Sequence, residues 1–408
     1  MRDEKTGNTV LMLLYIVFFV LVNSPASVGA GSVSLRQHRG ETLTEVFETP
    51  LPVSGRLGEI AAKTPTGLQQ GTINPDAEKG FAGIPGAPKI NYFVAFLWAV
   101  WVGWIFSTVG AFGGIMAGVG HLTLFGLGSY ADSFTSTNPE LNALLTDSIR
   151  ATNQYLVALA ALISTYNFYR MKRLVVPLGV ALGAGSVIGG LLIPWLTAGK
   201  IQLGDYIGLF GLAVLVIGAF IFYGTTGRAR STKKKANEAS AAFQRLMKEN
   251  DVSESQGVHI VSSGLREVTF SFYGTQFSFN PLLAVAGGLV IASISSFLGI
   301  GGGFLYVPFL TAVIGLPMFI VVGTSALAVL LSMITSIFSY VVLKGTFISW
   351  DLVGVEMVGV FVGAMIGPRT QKYIPEIWLK RLFVLLAVYV GLRYFSKGFF
   401  EESWLPPF

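Results

Sequence analysis

The 408 residues contain no cysteine, which excludes disulfides and thiolate metal sites. Histidine is nearly as scarce. His38, His121 and His259 stand far apart, too scattered for a histidine-built metal centre, so no metal and no other cofactor is expected. Charge is the third shortage: Asp, Glu, Lys and Arg make up only 12% of the chain against 52% hydrophobic residues, and none of the four occurs from Val268 to Leu343. Such a chain cannot hide its apolar side chains in one soluble core and still present a charged surface, so a polytopic membrane protein with the lipid bilayer as its partner is expected. A formal net charge of +6 would suit nucleic acid, but the excess sits in short loops between apolar runs. That is the pattern of cytoplasmic loops, and no nucleic-acid partner is expected. The sequence also has no GxxxxGK[ST] loop and no HExxH pair, so the chain is not expected to be an enzyme.

Along the chain, Arg2 and Lys5 precede an apolar run from Val10 to Val22, followed by small residues through Ala30. This run is short for a span and has the layout of a signal peptide, with an uncleaved anchor as the other reading of residues 1–30. Residues 31–89 lack sustained periodicity and are expected to form a loosely ordered extracytoplasmic lead-in. A first membrane repeat is placed at 90–227. It contains an uncharged block from Tyr92 to Ala131, a polar segment from Asp132 to Ser148, and apolar runs Ala151 to Tyr169, Leu174 to Gly199 and Tyr206 to Thr226. Asn138-Pro139-Glu140 is expected to open a short helix in the polar segment. Residues 228–278 form a cytoplasmic insertion with a polar helix from Ser231 to Asn250 and a hairpin turning at Tyr273-Gly274. A second membrane repeat at 279–398 and a tail at 399–408 complete the chain.

The organising stretch is GIGGGFLYVP, Gly299 to Pro308. Each glycine costs a helix about 1 kcal/mol relative to alanine, so four in five residues should break the helix. In a bilayer such a break survives only where it is buried in protein or lines a cavity, and the freed N–H groups can then face an anion. The first half has a counterpart in GAFGGIMAGVG, Gly110 to Gly120, and RATNQYLVALAALISTYNFYRMK aligns with VGTSALAVLLSMITSIFSYVVLK. The expected fold is therefore all-α, with two homologous repeats of four hydrophobic segments, each with a glycine-broken helix or re-entrant segment. The distribution of Lys and Arg favours inversion of one repeat relative to the other.

At these residues the chain resembles the TauE/SafE sulfite exporter family, also called the 4-toluene sulfonate uptake permease family. The resemblance rests on GIGGGFLYVPFL, VGTSALAVLLS, KGTFISWDL and VGVFVGAMIG. It implies a multi-pass protein of the bacterial inner membrane that moves small sulfur oxyanions such as sulfite, or organosulfonates. The expected activity is secondary active transport, as an exporter driven by protons, with a membrane-embedded enzyme or an anion channel as the alternatives. Residues alone leave open whether the chain forms a homo-oligomer.

Each candidate residue carries two readings. Gly301, Gly302 and Gly303, with Gly113 and Gly114 in the first half, either cradle an oxyanion through backbone N–H groups or let helices approach closely. Thr324 and Ser325, matched by Thr152 and Asn153, are hydroxyl or amide donors to an anion, or ordinary helix caps. Arg150 is expected at the outer end of its helix, attracting anions. Glu356 is a proton-coupling carboxylate or a side chain that snorkels to the surface. His121 has no evident partner and reads as a packed helix-end histidine.

Overall fold

The computed structural model describes residues 55–109, 112–201, 203–225, 234–248, 257–298, 303–371, 373–400 and 402–405. The signal-peptide or anchor reading of residues 1–30 therefore lies outside the described residues, as do Gly301 and Gly302. The protein is mostly helical. Among the described residues three helices are long and apolar enough to cross a membrane, Val176–Thr197, Met318–Leu343 and Trp350–Gln371, and several apolar helices are shorter.

The order begins with α1 (Gly55–Ala62), α2 (Tyr92–Val109), α3 (Phe112–Val119) with a π-helical continuation Gly120–Leu124, α4 (Leu127–Ser133) and α5 (Pro139–Arg170). It continues through α6 (Val176–Thr197), α7 (Leu203–Thr225) and α8 (Lys234–Lys248), then strands β1 (His259–Ser263), β2 (Val268–Phe272) and β3 (Thr275–Phe279). The second block is α9 (Pro281–Leu298), α10 (Gly303–Pro308), α11 (Met318–Ile337), α12 (Trp350–Gln371) and α13 (Glu376–Phe400). Wide π turns extend α10 through Phe309–Val313 and α11 through Phe338–Leu343.

Helix α2 stops at Val109 and α9 at Leu298, just before the two glycine-rich stretches in sequence, and in each case the next helix folds back. A Cβ at Gly113 would lie 2.7 Å from the Val102 carbonyl, and one at Gly120 would lie 2.3 Å from the Trp98 ring, so α3 runs antiparallel along α2. Trp98 Nε1 donates to the Met116 carbonyl at 3.0 Å, fixing that return. In the second block a Cβ at Gly287 would meet the Phe309 ring at 2.5 Å, so the α10 segment returns along α9 in the same way.

Packing between the blocks follows glycine seams, as expected where no hydrophobic drive separates helix from lipid and close backbone approach supplies the contact energy. A Cβ at Gly363 would sit 2.0 Å from the Val100 carbonyl, and Gly359 and Gly367 face Phe96 and Ser107 in the same order; α2 and α12 are parallel. Gly185 stands 1.9 Å by the same measure from the Val285 carbonyl and Gly189 faces Ser293, so α6 and α9 are also parallel. By contrast α7 and α13 are antiparallel: Gly208 meets Gly398, Gly211 meets Phe395 and Gly218 meets Ala387. The pair α5 and α11 is antiparallel too, because Gly323 packs on Phe168 while Arg150 lies 5.3 Å from the Tyr340 ring.

Two expectations are corrected here. Residues 55–89 are not a loose lead-in: Leu57, Ile60, Phe81 and Ile84 are buried in one cluster with Phe134, Leu141, Leu145 and Leu352. Asn138 ties the segment down, donating to the Ile60 carbonyl at 3.1 Å and the Thr64 hydroxyl at 2.8 Å. Nor does a short helix end before Ala151. Asn138 does cap the start, accepting from the Leu141 N–H at 3.0 Å with Pro139 behind it, but α5 then runs unbroken for 32 residues. Its polar residues Asp147 and Arg150 do not interrupt it because they pair with each other and with neighbouring elements.

The insertion turns at Tyr273-Gly274, both with positive φ (47° and 76°), as a two-residue hairpin of the I′ kind requires. β1 adds a third antiparallel strand, so the all-helical expectation holds for the membrane blocks but not for the insertion. Phe243 of α8 packs on Phe272, Tyr273 and Phe319 and places its ring 5.0 Å from the Arg173 guanidinium.

Candidate functional site

A helix that stops inside a membrane protein leaves carbonyls unpaired, each costing several kcal/mol unless something donates to it. Each break has such a donor. Arg150 donates to the Ser296 carbonyl at 2.9 Å and to the Phe297 carbonyl at 2.6 Å, at the end of α9. Its guanidinium also pairs with Asp147 at 3.1 Å, whose second oxygen accepts from the Gly199 N–H at 2.5 Å. Arg150 is 1% exposed. It does not stand at a solvent-facing mouth; it is buried against the end of α9, the helix that precedes the glycine run in sequence.

At the other break, Gln371 Nε2 donates to the Thr108 carbonyl at 2.8 Å, at the end of α2. Gln371 in turn accepts from Arg173, which also donates to the Phe319 carbonyl at 3.2 Å. Burial among Phe168, Phe243 and Phe319 pulls the Arg173 proton affinity down, and the nearby Tyr273 phenol opposes this. A fixed cation thus caps one break and a neutral amide, held by a cation, caps the other.

The remaining candidates separate. Gly113 is a close-packing glycine, since a methyl there would meet the Phe106 Cβ at 2.5 Å; Gly114 is buried, and Gly303 opens α10. Thr324 and Ser325 lie in the second turn of α11, and Thr152 and Asn153 lie in the middle of α5, so none of them is a cap. Thr324 Oγ1 accepts the Val175 N–H at 3.1 Å and Ser325 donates to the Val322 carbonyl at 3.1 Å. The Thr152 hydroxyl is buried without a hydrogen-bond partner among the described residues.

Glu356 does not snorkel. It is fully buried, and its Oε2 lies 3.0 Å from His121 Nε2, while His121 Nδ1 is hydrogen-bonded to Asn153 Oδ1. His121 is therefore the functional candidate the sequence reading passed over. Its partner is 235 positions away and nothing local announces it. The π-helical turn that carries His121 is a signal that could have drawn attention, since such bulges gather at functional sites. Among the described residues no group of three or more His, Cys, Asp or Glu could hold a metal.

Ser107 and Ser164 bond at 2.7 Å near the end of α2, whereas their sequence counterparts Ser296 and Ser336 are buried with neither hydroxyl bonded among the described residues. Cavities open at the end where α12 begins. One of about 650 Å³ is lined by Lys79, Lys89, Trp350 and Asp351, and one of about 210 Å³ by Thr123, Ser129, Arg393, Tyr394 and Lys397.

No solved structure matches the chain. A curated protein of Haemophilus influenzae, described as a probable membrane transporter protein, is 32% identical over 131 residues, covering 29% of this chain and 49% of the relative. The chain thus spans about half the length of the curated relative it matches. Residues 95–394 match the family described as Sulfite exporter TauE/SafE, a stretch that includes both helix breaks, their capping groups and the His121–Glu356 pair: the chain belongs to the TauE/SafE sulfite exporter family.

Proposed function

We propose that the protein is a secondary active transporter of small sulfur oxyanions such as sulfite, or of organosulfonates, working as an exporter in the bacterial inner membrane. The observation that carries this reading is the direction of the helix pairs. In chain order α2, α5, α6 and α7 correspond to α9, α11, α12 and α13. Corresponding helices that pair, α5 with α11 and α7 with α13, are antiparallel, as two repeats related by an axis in the membrane plane would be. The cross-pairs α2 with α12 and α6 with α9 are exchanged by the same axis. Such inverted repeats with broken helices are transport architecture, and the family match and the relative's printed name point the same way.

The anion site in this reading is the second-block break, where the backbone N–H groups of Gly301, Gly302 and Gly303 face the substrate. Arg150 holds the end of α9, and Thr152, Thr324 and Ser325 lie on α5 and α11. Glu356 serves proton coupling. The basic ends of α5 and α12, with Arg170, Lys172 and Arg369, and the insertion lie on the cytoplasmic side in this reading.

The test is flux of sulfite, sulfate, thiosulfate and small sulfonates in proteoliposomes. Saturable, counter-exchangeable flux of one of them is expected; non-saturable flux would mark a channel, and product formation an enzyme. Gly302→Ala adds a methyl where the anion would approach. It is expected to abolish substrate-induced thermal stabilisation in detergent while leaving the unliganded melting point unchanged. Lowered melting with an intact ligand shift would point to packing instead.

A further inference from the structure

We propose that His121 and Glu356, positioned by Asn153, share one proton and together form the proton-binding site of this transporter, with His121 an obligatory member. The inference rests on the transport reading above and deepens it by naming the whole coupling unit.

Asn153 Oδ1 can only accept, so the imidazole Nδ1 carries a proton toward it. That leaves Nε2 facing Glu356 Oε2 at 3.0 Å. Two acceptors cannot approach so closely in a dry site, so one proton lies between them, as a carboxylic acid donating to imidazole or an imidazolium donating to carboxylate. Either way the pair is neutral overall. Its second oxygen, Glu356 Oε1, is buried without a hydrogen bond among the described residues, which leaves a place for another proton. Taking up that proton makes the pair net positive and suits it to travel with an anion; releasing it on the other side restores the neutral pair. No electron or bond is exchanged beyond that proton.

The other titratable groups on the packed elements are exposed or half-buried, paired with one another, or packed against other rings. On α5, Arg150 and Asp147 hold each other and the Tyr155 ring packs on Trp350. On α12, Asp351 is exposed. Arg393, Tyr394 and Lys397 of α13 line the small cavity beyond Thr123, with Tyr394 bonded to the Thr123 hydroxyl at 2.9 Å. On α4 the Tyr130 ring packs on Phe134, and Asp132 is half-buried at its far end. Helix α2 contributes no charge.

The test uses the full chain. Infrared difference spectra against pH read the Glu356 carboxyl, identified by its loss in Glu356→Gln. Nitrogen-15 spectra read His121, identified among three histidines by its loss in His121→Gln. The two groups are expected to titrate together, and the carboxyl band to move in His121→Gln. Asn153→Ala, which only loosens the ring, should shift the His121 signals and serves if His121→Gln does not fold. In proteoliposomes with a trapped pH dye and sulfite as the probe, wild-type flux limited by proton loading should rise by about tenfold per unit of imposed pH gradient. His121→Gln and Glu356→Gln should both lose that dependence. A carboxyl band and midpoint unchanged in folded His121→Gln would overturn the shared proton. Sulfite moving without protons in wild type, with the spectra coupled, would overturn its role in transport. No sulfite movement at all would refute the proposed substrate, while the spectra still decide the pair.

Discussion

Arg150 shows how one side chain can be mistaken for a surface charge. Its place near the start of a long helix suggested a mouth, yet it is consumed by two carbonyls and one carboxylate. Removing it leaves Asp147 buried without its ion partner and the α9 carbonyls without their donor. Arg150→Ala is therefore expected to destabilise the protein by about 3–5 kcal/mol, read as a large fall in melting temperature. Asp147→Asn combined with Arg150→Gln, which removes both charges together, should cost much less. At the basic end, Gln371→Ala removes both the donor to the Thr108 carbonyl and the acceptor of the buried Arg173 guanidinium, and should cost more than the ~1–3 kcal/mol of one neutral group left unpaired. The sequence could name Glu356 because a carboxylate in an apolar run stands out. It could not name His121, since the meaning of that residue comes from a carboxylate on another helix.

Helix existence was legible, helix extent less so. The Asn138-Pro139 start and the Tyr273-Gly274 turn follow from local chemistry, capping in one case and positive φ in the other, and both were readable. The continuity of α5 through Asp147 and Arg150 was not, because a polar interruption and a polar residue satisfied by distant partners look alike in one dimension. The folded segment 55–89 was missed for a related reason: a helical spacing of buried residues lasts only through the eight residues of α1, at Leu57, Ile60 and Ala61, and Ile73, Phe81, Ile84 and Ala87 beyond it are held by turns rather than by a sustained period. Glycines posed the same ambiguity, and only packing separates them. Gly113→Ala should overpack against Phe106 and the Val102 carbonyl and lower the melting temperature, a cost of about 1–3 kcal/mol, with the substrate-induced shift preserved.

Across the whole molecule, the arrangement of ends can be checked directly because no native cysteine competes for label. Leu68, Leu265 and Tyr373 are all well exposed. A cysteine replacing Leu265 or Tyr373 should react with an impermeant maleimide only from the cytoplasmic side, and one replacing Leu68 only from outside; labelling of position 373 from outside would reverse the assignment. The serine asymmetry has a further consequence, one of resting bias. In the inverted-repeat reading proposed above, the two halves need not sit in the same conformation, and of the two matched serine pairs the Ser107–Ser164 contact is closed while Ser296 and Ser336 are unbonded among the described residues. With Phe112 opposite Gly301 and Arg150 opposite Val322 in sequence, that reading expects the two ways of closing the molecule to be unequal in energy and an unoccupied population to be lopsided. Cysteines at 107 and 164 should then form a disulfide readily in the absence of substrate, cysteines at 296 and 336 slowly, and a substrate that draws the molecule toward its other face should narrow the difference between the two rates.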